Sequence, residues 1–433
     1  MKYDVVLFTG MTGRFWNAKP LGAYRVATEL RKHGYSVKVV DFISNWLSEP
    51  TAFFKLLNLV IGPNTLFVGF SGTFFSSRNI TSEIKNYSDF FGQWQVWPTS
   101  DHRMDLYLKH IKKTFPHVKT VYGGISITNQ LELVAKYVDF VVSGLADVTI
   151  IELANHLSKK TSLKYMIGTN GGKIISHDTK ALSFNFPESK VEYREEDHIF
   201  PGEILPLETS RGCLFKCSFC AFPLIGRKKG DPEYHKHLDS MANELKNNYE
   251  NHQVNTYMIV DDTFNETTNK IEDLLKARDK SGVNIKFSAY IRADLLIRFP
   301  EQIKLLNELG MVSAFFGIES LHRPSAMAIG KSTHPDKIKD LFYKLKQDWT
   351  GDELRTLGSF IIGLPEDTPD TLDTWLPWIE NSECPIDMLN LNPLHLSGTS
   401  ELALNPEKYG YTIINNHNHW QNKHWTFDDA KKY

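Results

Sequence analysis

Residues 204–220 read ILPLETSRGCLFKCSFC, an apolar strand that leads directly into three closely spaced cysteines. These cysteines, Cys213, Cys217 and Cys220, form a CxxxCxxC pattern, and the fourth cysteine, Cys384, lies far along the chain. One cluster and one distant thiol do not make a disulfide framework, so the pattern indicates a metal site in a reducing compartment. Cys384 is interpreted as a small buried apolar residue.

Spacing alone leaves two kinds of metal site open. Three thiolates on one short loop can ligate three irons of a cubane [4Fe–4S] cluster and leave the fourth iron free for a substrate or cofactor. Zinc is the alternative, although a structural zinc ion usually takes four ligands from paired CxxC motifs. In that case His235 or His237 would supply the missing ligand.

The strand before the cysteines begins a series of six strand and helix units. The strands are predicted at Leu205–Thr209, Thr256–Asp261, Ile285–Tyr290, Ser313–Ile318, Thr356–Ile362 and Met388–Leu394. The helices between them are predicted at His237–Tyr249, Asn269–Ser281, Pro300–Leu309, Pro335–Trp349 and Thr368–Ile379. Such a series predicts a partial (β/α)6 barrel of the TIM type over residues 201–400, with its functional groups at the carboxyl ends of the strands.

Residues 401–433, beyond the predicted barrel, show no clear hydrophobic periodicity. They are predicted to form a surface or disordered tail. The alternative is a metal or substrate site, for which the candidate side chains are His417, His419, Trp420, His424 and Trp425.

Residues 1–160 also alternate between strand and helix patterns. The strands are predicted at Asp4–Thr9, Tyr35–Phe42, Thr65–Phe70, Val118–Tyr122 and Val138–Ser143, and the helices at Leu21–His33 and from Ile150. This order predicts an α/β domain, a Rossmann-like doubly wound parallel sheet. A linker over 161–200 contains a predicted hairpin that turns at Asn170–Gly172. Residues 76–103 are predicted to be a surface insertion, with a lid or a partner surface as the alternative.

Small residues lie at the predicted strand ends of this first domain. Ligands of doubly wound sheets bind outside the carboxyl ends of the strands, and small residues there let a flat ligand approach the backbone closely. The candidate contacts are Gly69, Ser71, Gly72, Gly123, Gly124 and Gly144. The alternative is that these glycines only terminate strands.

Composition excludes several classes of protein. The chain has 433 residues, and 49 basic against 51 acidic side chains give a formal charge of −2. This balance does not indicate a nucleic-acid partner, although a local basic patch would escape the count. No apolar run reaches the roughly 18 residues that a membrane span needs, and the N-terminal apolar stretch is too short for a signal peptide. We therefore expect a cytoplasmic protein without a membrane partner.

The cysteine loop resembles the signature of the radical S-adenosylmethionine (SAM) superfamily, in which an aromatic residue precedes the last cysteine, as Phe219 does here. The resemblance continues to about Leu396. It implies that Asp262 contacts the SAM amino group, that Glu319 and Ser320 hold the ribose, and that Ile361 and Gly363 of IIGLPE hold the adenine. The longer adenine-binding pattern fails at Ser359.

Three further interpretations of these charged residues stay open. Arg292, at the end of the third barrel strand, is a candidate contact for the SAM carboxylate. Asp261 and Asp262 would alternatively cap the following helix. Glu319 would alternatively pair with Arg292 or Arg323.

The resemblance implies that the three cysteines hold a [4Fe–4S] cluster whose open iron chelates SAM. An electron from an external donor such as flavodoxin or ferredoxin then cleaves the sulfonium bond and yields methionine and a 5′-deoxyadenosyl radical. A binding protein without turnover is the non-enzymatic alternative. The substrate is not identified by any recognition signature.

The first domain resembles the cobalamin-binding branch of this superfamily in the segments PLGAYRVATELRKHGYSVKVVDF, VYGG and VDFVVSGLADVTIIEL. The DxHxxG motif, whose histidine ligates cobalt, is absent from the first strand–helix connection, GMTGRFWNAKPLG. Many members of this branch lack that histidine, so the resemblance still implies cobalamin binding and, with it, methyl transfer to an unactivated carbon or phosphorus centre. The alternative is a rearrangement or oxidation enzyme whose first domain recognises the substrate or a partner.

Overall fold

The computed structural model divides into two compact units. The first comprises Met1–Asn185 with Lys190–Leu205, and the second comprises Phe186–Ser189 with Pro206–Tyr433. The residues that the structure describes are 2–10, 18–43, 49–72, 104–124, 134–163, 166–168, 173–176, 184–220, 234–331, 334–349, 355–396, 400–414 and 419–433. The predicted insertion at 76–103 therefore lies outside the described residues.

A seven-stranded sheet in the order β2-β1-β3-β4-β5-β7-β6 forms the centre of the first unit. Its strands are β1 (Val5–Phe8), β2 (Val37–Val40), β3 (Phe67–Ser71), β4 (Lys119–Gly124), β5 (Phe140–Ser143), β6 (Met166–Gly168) and β7 (Lys173–Ser176). Its helices are α1 (Leu21–Lys32), α2 (Pro50–Val60), α3 (Met104–Thr114) and α4 (Thr149–Leu157). All pairings except β6 with β7 are parallel, which confirms the doubly wound sheet.

Burial explains why the central strands are continuous apolar runs. All four residues of β1 are buried, as expected for a parallel strand covered by helices on both faces. The predicted hairpin is confirmed, because β6 and β7 are antiparallel with Gly168 opposite Lys173. Its turn at 170–172 lies outside the described residues. The hairpin extends this sheet rather than standing apart as a linker.

The segment from 190 to 205 is attached to α1 by a buried ion pair. Both Nη atoms of Arg31 donate to the carboxylate of Asp197 at 2.7 Å. Neither side chain is exposed by more than 2%. At the other end of the helix, Tyr24 donates to Asp41 at 2.8 Å, and Asp41 also pairs with Lys19 at 2.9 Å.

The second unit is built on six strands in strictly sequential order, β8 to β13. They are β8 (Ile204–Leu207), β9 (Thr256–Ile259), β10 (Lys286–Ile291), β11 (Met311–Glu319), β12 (Arg355–Ile362) and β13 (Met388–Pro393). The larger helices are α5 (Leu238–His252), α6 (Thr268–Ser281), α7 (Ala293–Arg298), α8 (Glu301–Leu309), α9 (Arg323–Ala328) and α10 (Pro335–Asp348). Strands β9 to β13 pair in parallel, and helices connect successive strands along the chain. The expected partial barrel is therefore confirmed.

Shorter elements complete the second unit. They are α11 (Pro369–Asp373), α12 (Leu376–Glu380), α13 (Glu401–Leu404), α14 (Phe427–Ala430) and an antiparallel pair, β14 (Thr412–Ile413) with β15 (Trp420–Gln421). Caps define several helix starts. Thr368, for example, forms a capping box with Thr371, and Pro369 occupies the first turn of α11.

The expectation of a surface tail over residues 401–433 is wrong. Trp420 is only 1% exposed and Trp425 only 3%, so both are core residues of the second unit. The Trp420 Nε1 donates to the carbonyl of Leu394 at 2.8 Å, and Trp425 Nε1 donates to that of Asp367 at 2.9 Å. The indole rings bury apolar area and place their N–H groups on backbone carbonyls near the strand ends.

The alternative of a histidine site in this segment gains no support from the described residues. His419 and His424 are exposed. His417 lies outside the described residues.

Candidate cluster and cofactor site

The three clustered cysteines lie on a loop that directly follows β8. Each of Cys213, Cys217 and Cys220 is half-buried and none forms a disulfide bond. The N–H of Cys220 donates to the carbonyl of Cys217 at 3.0 Å, which closes a tight turn. The N–H of Ser218, between them, donates to the carbonyl of Ile329 at 3.2 Å. The loop is thereby held against the segment that follows α9.

A buried ammonium group lies beneath this loop. Lys270 on α6 contacts the Asp261 carboxylate at 2.9 Å, the Glu266 carboxylate at 3.0 Å and the Ser210 hydroxyl at 2.5 Å. It also donates to the carbonyl of Thr263 at 2.9 Å. Two carboxylates and two neutral oxygens satisfy the charge that burial would otherwise penalise.

This ammonium-centred group reaches the cysteine loop from two sides. Asp261 accepts from the N–H groups of Thr209 at 2.8 Å and Ser210 at 3.1 Å, at the point where β8 passes into the loop. Glu266 accepts from the N–H of Leu214 inside the loop at 3.3 Å. Although burial raises the pKa of Asp261, Lys270 and these donors hold it below its ordinary value. Asp261 is therefore a structural anion rather than a helix cap.

Arg292, the residue immediately after β10, contacts the loop directly. Its Nη1 donates to the Sγ atom of Cys217 at 3.3 Å, and its guanidinium stacks on the Phe215 ring at 3.9 Å from the centroid. Nε and Nη2 donate to the two carboxylate oxygens of Asp294 at 3.0 and 2.7 Å. Cys213 Sγ lies 3.5 Å from the hydroxyl of Thr263. Arg292 therefore gives Cys217 a charged donor that suits a thiolate, and Cys213 has a hydroxyl neighbour in Thr263.

Asp262 differs sharply from its neighbour Asp261. Its side chain is half-buried, and no hydrogen bond to its carboxylate is found among the described residues. Burial and then the negative charge of Asp261 raise the pKa of Asp262 to about 7. A carboxyl group held in this state favours an incoming cation, because a positive charge offsets both effects. The position suits the predicted contact with an ammonium group.

Glu319 ends β11 and has a different partner from the two expected. Its Oε1 accepts from Lys331 Nζ at 2.9 Å, so the pairing with Arg292 or Arg323 is wrong. The backbone of Glu319 has a φ of 68°. A Cβ at Gly317 would lie 2.5 Å from Oε1 of Glu319, so a side chain at this position would displace that carboxylate. Ser320 is buried and its hydroxyl accepts from the N–H of His322 at 3.0 Å.

The end of β12 is enclosed by the C-terminal segment. Gly363 has a φ of +85°, and its carbonyl accepts from Tyr411 at 2.7 Å. Its N–H donates to Asp367 at 3.0 Å. Burial raises the pKa of Asp367 to about 6. Ile361, the other predicted adenine contact, and Phe219 of the cysteine loop are each half-buried.

The donor set fits an iron–sulfur cluster. Three half-exposed thiols on a loop at the strand ends, with N–H and O–H neighbours, match what such a cluster takes from a protein. Burial raises the pKa of Cys213, and a bound metal would deprotonate it. Within the part of the chain that the structure describes, no group of three or more His, Cys, Asp or Glu side chains converges to hold a single metal ion. His235 and His237 therefore do not complete a zinc site there.

In the first unit, the structure brings the predicted small residues to one sheet edge. Strands β3, β4 and β5 are neighbours, with Ser71 opposite Gly123 and Gly124 opposite Ser143. The N–H of Gly72 donates to the Gly123 carbonyl at 2.6 Å, so the edge continues beyond β3. Gly144 follows β5 with a φ of +85°.

Two of these glycines also have a packing role. A Cβ at Gly69 would lie 2.8 Å from Leu7, inside the sheet rather than at its end. A Cβ at Gly123 would lie 2.9 Å from the Val142 carbonyl. Ser71, Gly72, Gly124 and Gly144 are therefore the better candidates for a ligand contact.

Comparison with known families bears on the second unit. Residues 207–378 match the model of the radical SAM superfamily. The chain therefore carries a radical SAM domain. This match includes the three cysteines and every residue that we predicted to contact SAM. It confirms the resemblance drawn from the cysteine motif and implies SAM and a [4Fe–4S] cluster as cofactors.

Two similar proteins match a longer part of this chain than the radical SAM domain alone. An uncharacterized methyltransferase of Pyrococcus horikoshii is 28% identical over 297 residues, 64% of this chain and 61% of that protein. The bacteriochlorophyllide d C-8(2)-methyltransferase of Chlorobaculum tepidum is 25% identical over 60% of this chain and 57% of its own length. The matches thus span about three-fifths of these relatives.

A solved structure shares the fold over nearly the whole chain. The radical SAM methyltransferase TsrM of Kitasatospora setae, solved with cobalamin and a [4Fe–4S] cluster bound, aligns with a TM-score of 0.66. The alignment covers 96% of this chain and 81% of TsrM at 15% identity. The α/β fold with a doubly wound unit and a TIM-like unit is therefore confirmed.

Sequence reasoning missed the residues that anchor the cysteine loop. Lys270 pairs with Glu266, which precedes α6, so the spacing of four residues was not a helix-face signal for this ion pair. Lys331, the partner of Glu319, had no such signal either.

Among the described residues, no helix is both long and apolar enough to cross a membrane.

Proposed function

We propose that this protein is a cobalamin-dependent radical SAM methyltransferase that methylates an unactivated carbon or phosphorus centre. The observation that carries the proposal is the cysteine loop after β8, which Lys270 anchors through Asp261 and Glu266. Asp262 lies beside it, and its raised pKa means that a bound cation would stabilise its ionised form. A [4Fe–4S] cluster on Cys213, Cys217 and Cys220, when bound, supplies the electron that cleaves SAM reductively.

The chain itself binds and orients SAM. Asp262 offers a carboxylate to the amino group, and the raised pKa of the free carboxyl means that its charge is fully developed only when the cation is present. Glu319 and Ser320 offer oxygen acceptors and a hydroxyl to the ribose at the end of β11. Ile361, half-buried near the end of β12, offers an apolar side chain to the adenine, while Gly363 is already packed against Trp420.

The glycine edge of the first unit is proposed to bind cobalamin. Small residues at three adjacent strand ends allow a large flat ring to approach the backbone, which is the usual ligand position in doubly wound sheets. TsrM, which shares the fold, was solved with cobalamin bound. Because the DxHxxG motif is absent, we propose that no histidine of the first strand–helix connection ligates cobalt.

Methyl transfer is favoured over rearrangement or oxidation because the two similar proteins described above are named as methyltransferases. We further propose a cytoplasmic location, since four free thiols suit a reducing compartment. A flavodoxin or ferredoxin is the proposed electron donor. No substrate class beyond the methyl-accepting centre is proposed.

The test is anaerobic reconstitution with iron, sulfide and hydroxocobalamin, followed by iron and cobalt counts and reduction with SAM. We expect about four irons and one cobalt per chain, with 5′-deoxyadenosine and S-adenosylhomocysteine as products. Cys217→Ser should abolish cluster binding, whereas the matched Cys384→Ser should retain it. Zinc in place of iron, or no SAM cleavage, would overturn the proposal.

Cobalamin binding has its own matched pair of variants. Ser71→Trp places a bulky ring at the glycine edge and should abolish cobalt binding, whereas Ser71→Ala should preserve it. Iron and 5′-deoxyadenosine without cobalt in the unmodified protein would favour the alternative, a radical enzyme whose first unit recognises a substrate or partner.

A further inference from the structure

The contact between Arg292 and Cys217 is the feature of the cysteine loop that SAM binding does not explain. These residues are 75 positions apart, yet Nη1 of Arg292 lies 3.3 Å from the Cys217 Sγ atom. Arg292 is only 7% exposed. A buried guanidinium aimed at a thiol is costly unless its charge is paired, and here Asp294 supplies the opposite charge at 2.7 Å.

The surroundings of Arg292 fix the direction of that donor. Asp294 accepts from Nε and Nη2 in a two-point pair at 3.0 and 2.7 Å, which sets the plane of the guanidinium. The Phe215 ring covers one face of the group at 3.9 Å. Rotation of the side chain would break both contacts, so Nη1 is held toward Cys217.

The backbone of Arg292 is held as firmly as its side chain. Its N–H donates to Asn265 Oδ1 at 2.8 Å, and its carbonyl accepts from Asn265 Nδ2 at 3.1 Å. Asn265 in turn donates to Gln302 at 3.1 Å, and all three residues are buried. The guanidinium is therefore preorganised before any cofactor is bound.

We propose that Arg292 is a positioning residue that acts through the Cys217 thiolate and raises the reduction potential of the cluster. This inference rests on the proposed cluster on Cys213, Cys217 and Cys220. A hydrogen bond to a ligating sulfur withdraws electron density from it and stabilises the more negative, reduced state. Asp294 partly offsets the positive charge, so the pair sets the potential at an intermediate value.

This role is distinct from a contact with the SAM carboxylate. Three of the five guanidinium N–H groups are used by Cys217 and Asp294, and no acceptor for the other two is found among the described residues. The two roles separate when the potential is measured without SAM, because only the hydrogen bond to sulfur then contributes.

The experiment is a redox titration of the reconstituted cluster by electron paramagnetic resonance, in full-length protein without SAM and after iron counting. Arg292→Gln removes the charge and should lower the ratio of reduced to oxidised cluster at a fixed potential about tenfold, which is 59 mV for one electron. Asp294→Asn leaves the guanidinium charge unbalanced and should shift the ratio the opposite way. Arg278→Gln, which breaks the pair with Asp279 on α6, is the matched control and should leave the ratio unchanged.

The outcomes separate this inference from the proposed function. If the unmodified protein binds no iron, the cluster proposal itself fails. If it binds four irons and Arg292→Gln shows the same ratio of reduced to oxidised cluster as Arg278→Gln at each potential, Arg292 does not tune the potential. Should Arg292→Gln lose the cluster altogether, Asp294→Asn decides: a rise in the reduced fraction supports the inference, and an unchanged fraction overturns it.

Discussion

Replacing Lys270 by methionine tests whether the buried ammonium anchors the cysteine loop. The substitution keeps an unbranched side chain but leaves the carboxylates of Asp261 and Glu266 without their cation, 2.9 and 3.0 Å from its present position. Breaking a buried ion pair by removing one partner costs about 3–5 kcal/mol. Because a domain unfolds with only about 5–15 kcal/mol, this is a large share of the total.

The stability loss should appear as a lower melting temperature. For a unit of this size, each kcal/mol corresponds to about 2–4 °C, so we expect a decrease of about 6–20 °C in thermal denaturation. Because Asp261 and Glu266 hold the backbone at Ser210 and Leu214, we also expect the variant to take up less iron at a temperature where it is folded.

Lys236→Met is the matched control for Lys270→Met. Lys236 is equally buried and pairs with Glu244 at 2.6 Å on α5. The Lys236 side chain donates to Glu244 rather than to Asp261 or Glu266, and its backbone N–H donates to the Thr209 carbonyl at 2.9 Å, a bond that the substitution leaves in place. It should lose stability in the same range while it retains normal iron uptake at low temperature. Equal iron loss in both variants, or an unchanged melting temperature in Lys270→Met, would refute the anchoring role.

Three further predictions concern the strand ends. Gly363→Ala should lower the free energy of unfolding by about 1–3 kcal/mol and expose the C-terminal segment to limited proteolysis, because its Cβ would lie 2.6 Å from Trp420 at a φ of +85°. Asp367→Asn should gain stability over the unmodified protein as pH rises from 4 to 7, since the raised folded pKa of about 6 makes ionisation destabilising by up to about 3 kcal/mol; thermal melts across that range decide. Asp262→Asn should weaken SAM binding about tenfold or more in equilibrium dialysis of the reconstituted protein, and unchanged affinity would exclude the ammonium contact.

Much of the architecture was predictable because it depends on local pattern. Continuous apolar runs such as Val5–Phe8 mark strands buried on both faces, and Gly34 ends α1 with a φ of +86°. The cysteine spacing predicted the metal loop, since three ligands within eight residues need no long-range contact to be near each other.

The C-terminal segment shows where such patterns fail. Trp420 and Trp425 occur among asparagines, histidines and lysines at no regular spacing, so they were interpreted as surface residues. Their burial depends on space at the ends of β12 and β13, which is formed by residues far away in the chain. No local periodicity reports that space.

The sequence by itself determined the alternation of strands and helices, the identity of the cluster ligands and the radical SAM signature around them. Only the tertiary structure decided which charges are buried and paired. It separated Asp261, bound to Lys270, from Asp262, whose pKa rises to about 7, although the two are adjacent in sequence. It also placed Arg292 on Cys217. The physical reason is that electrostatic energy depends on distance and solvent exposure, and both are set by segments that meet only after folding.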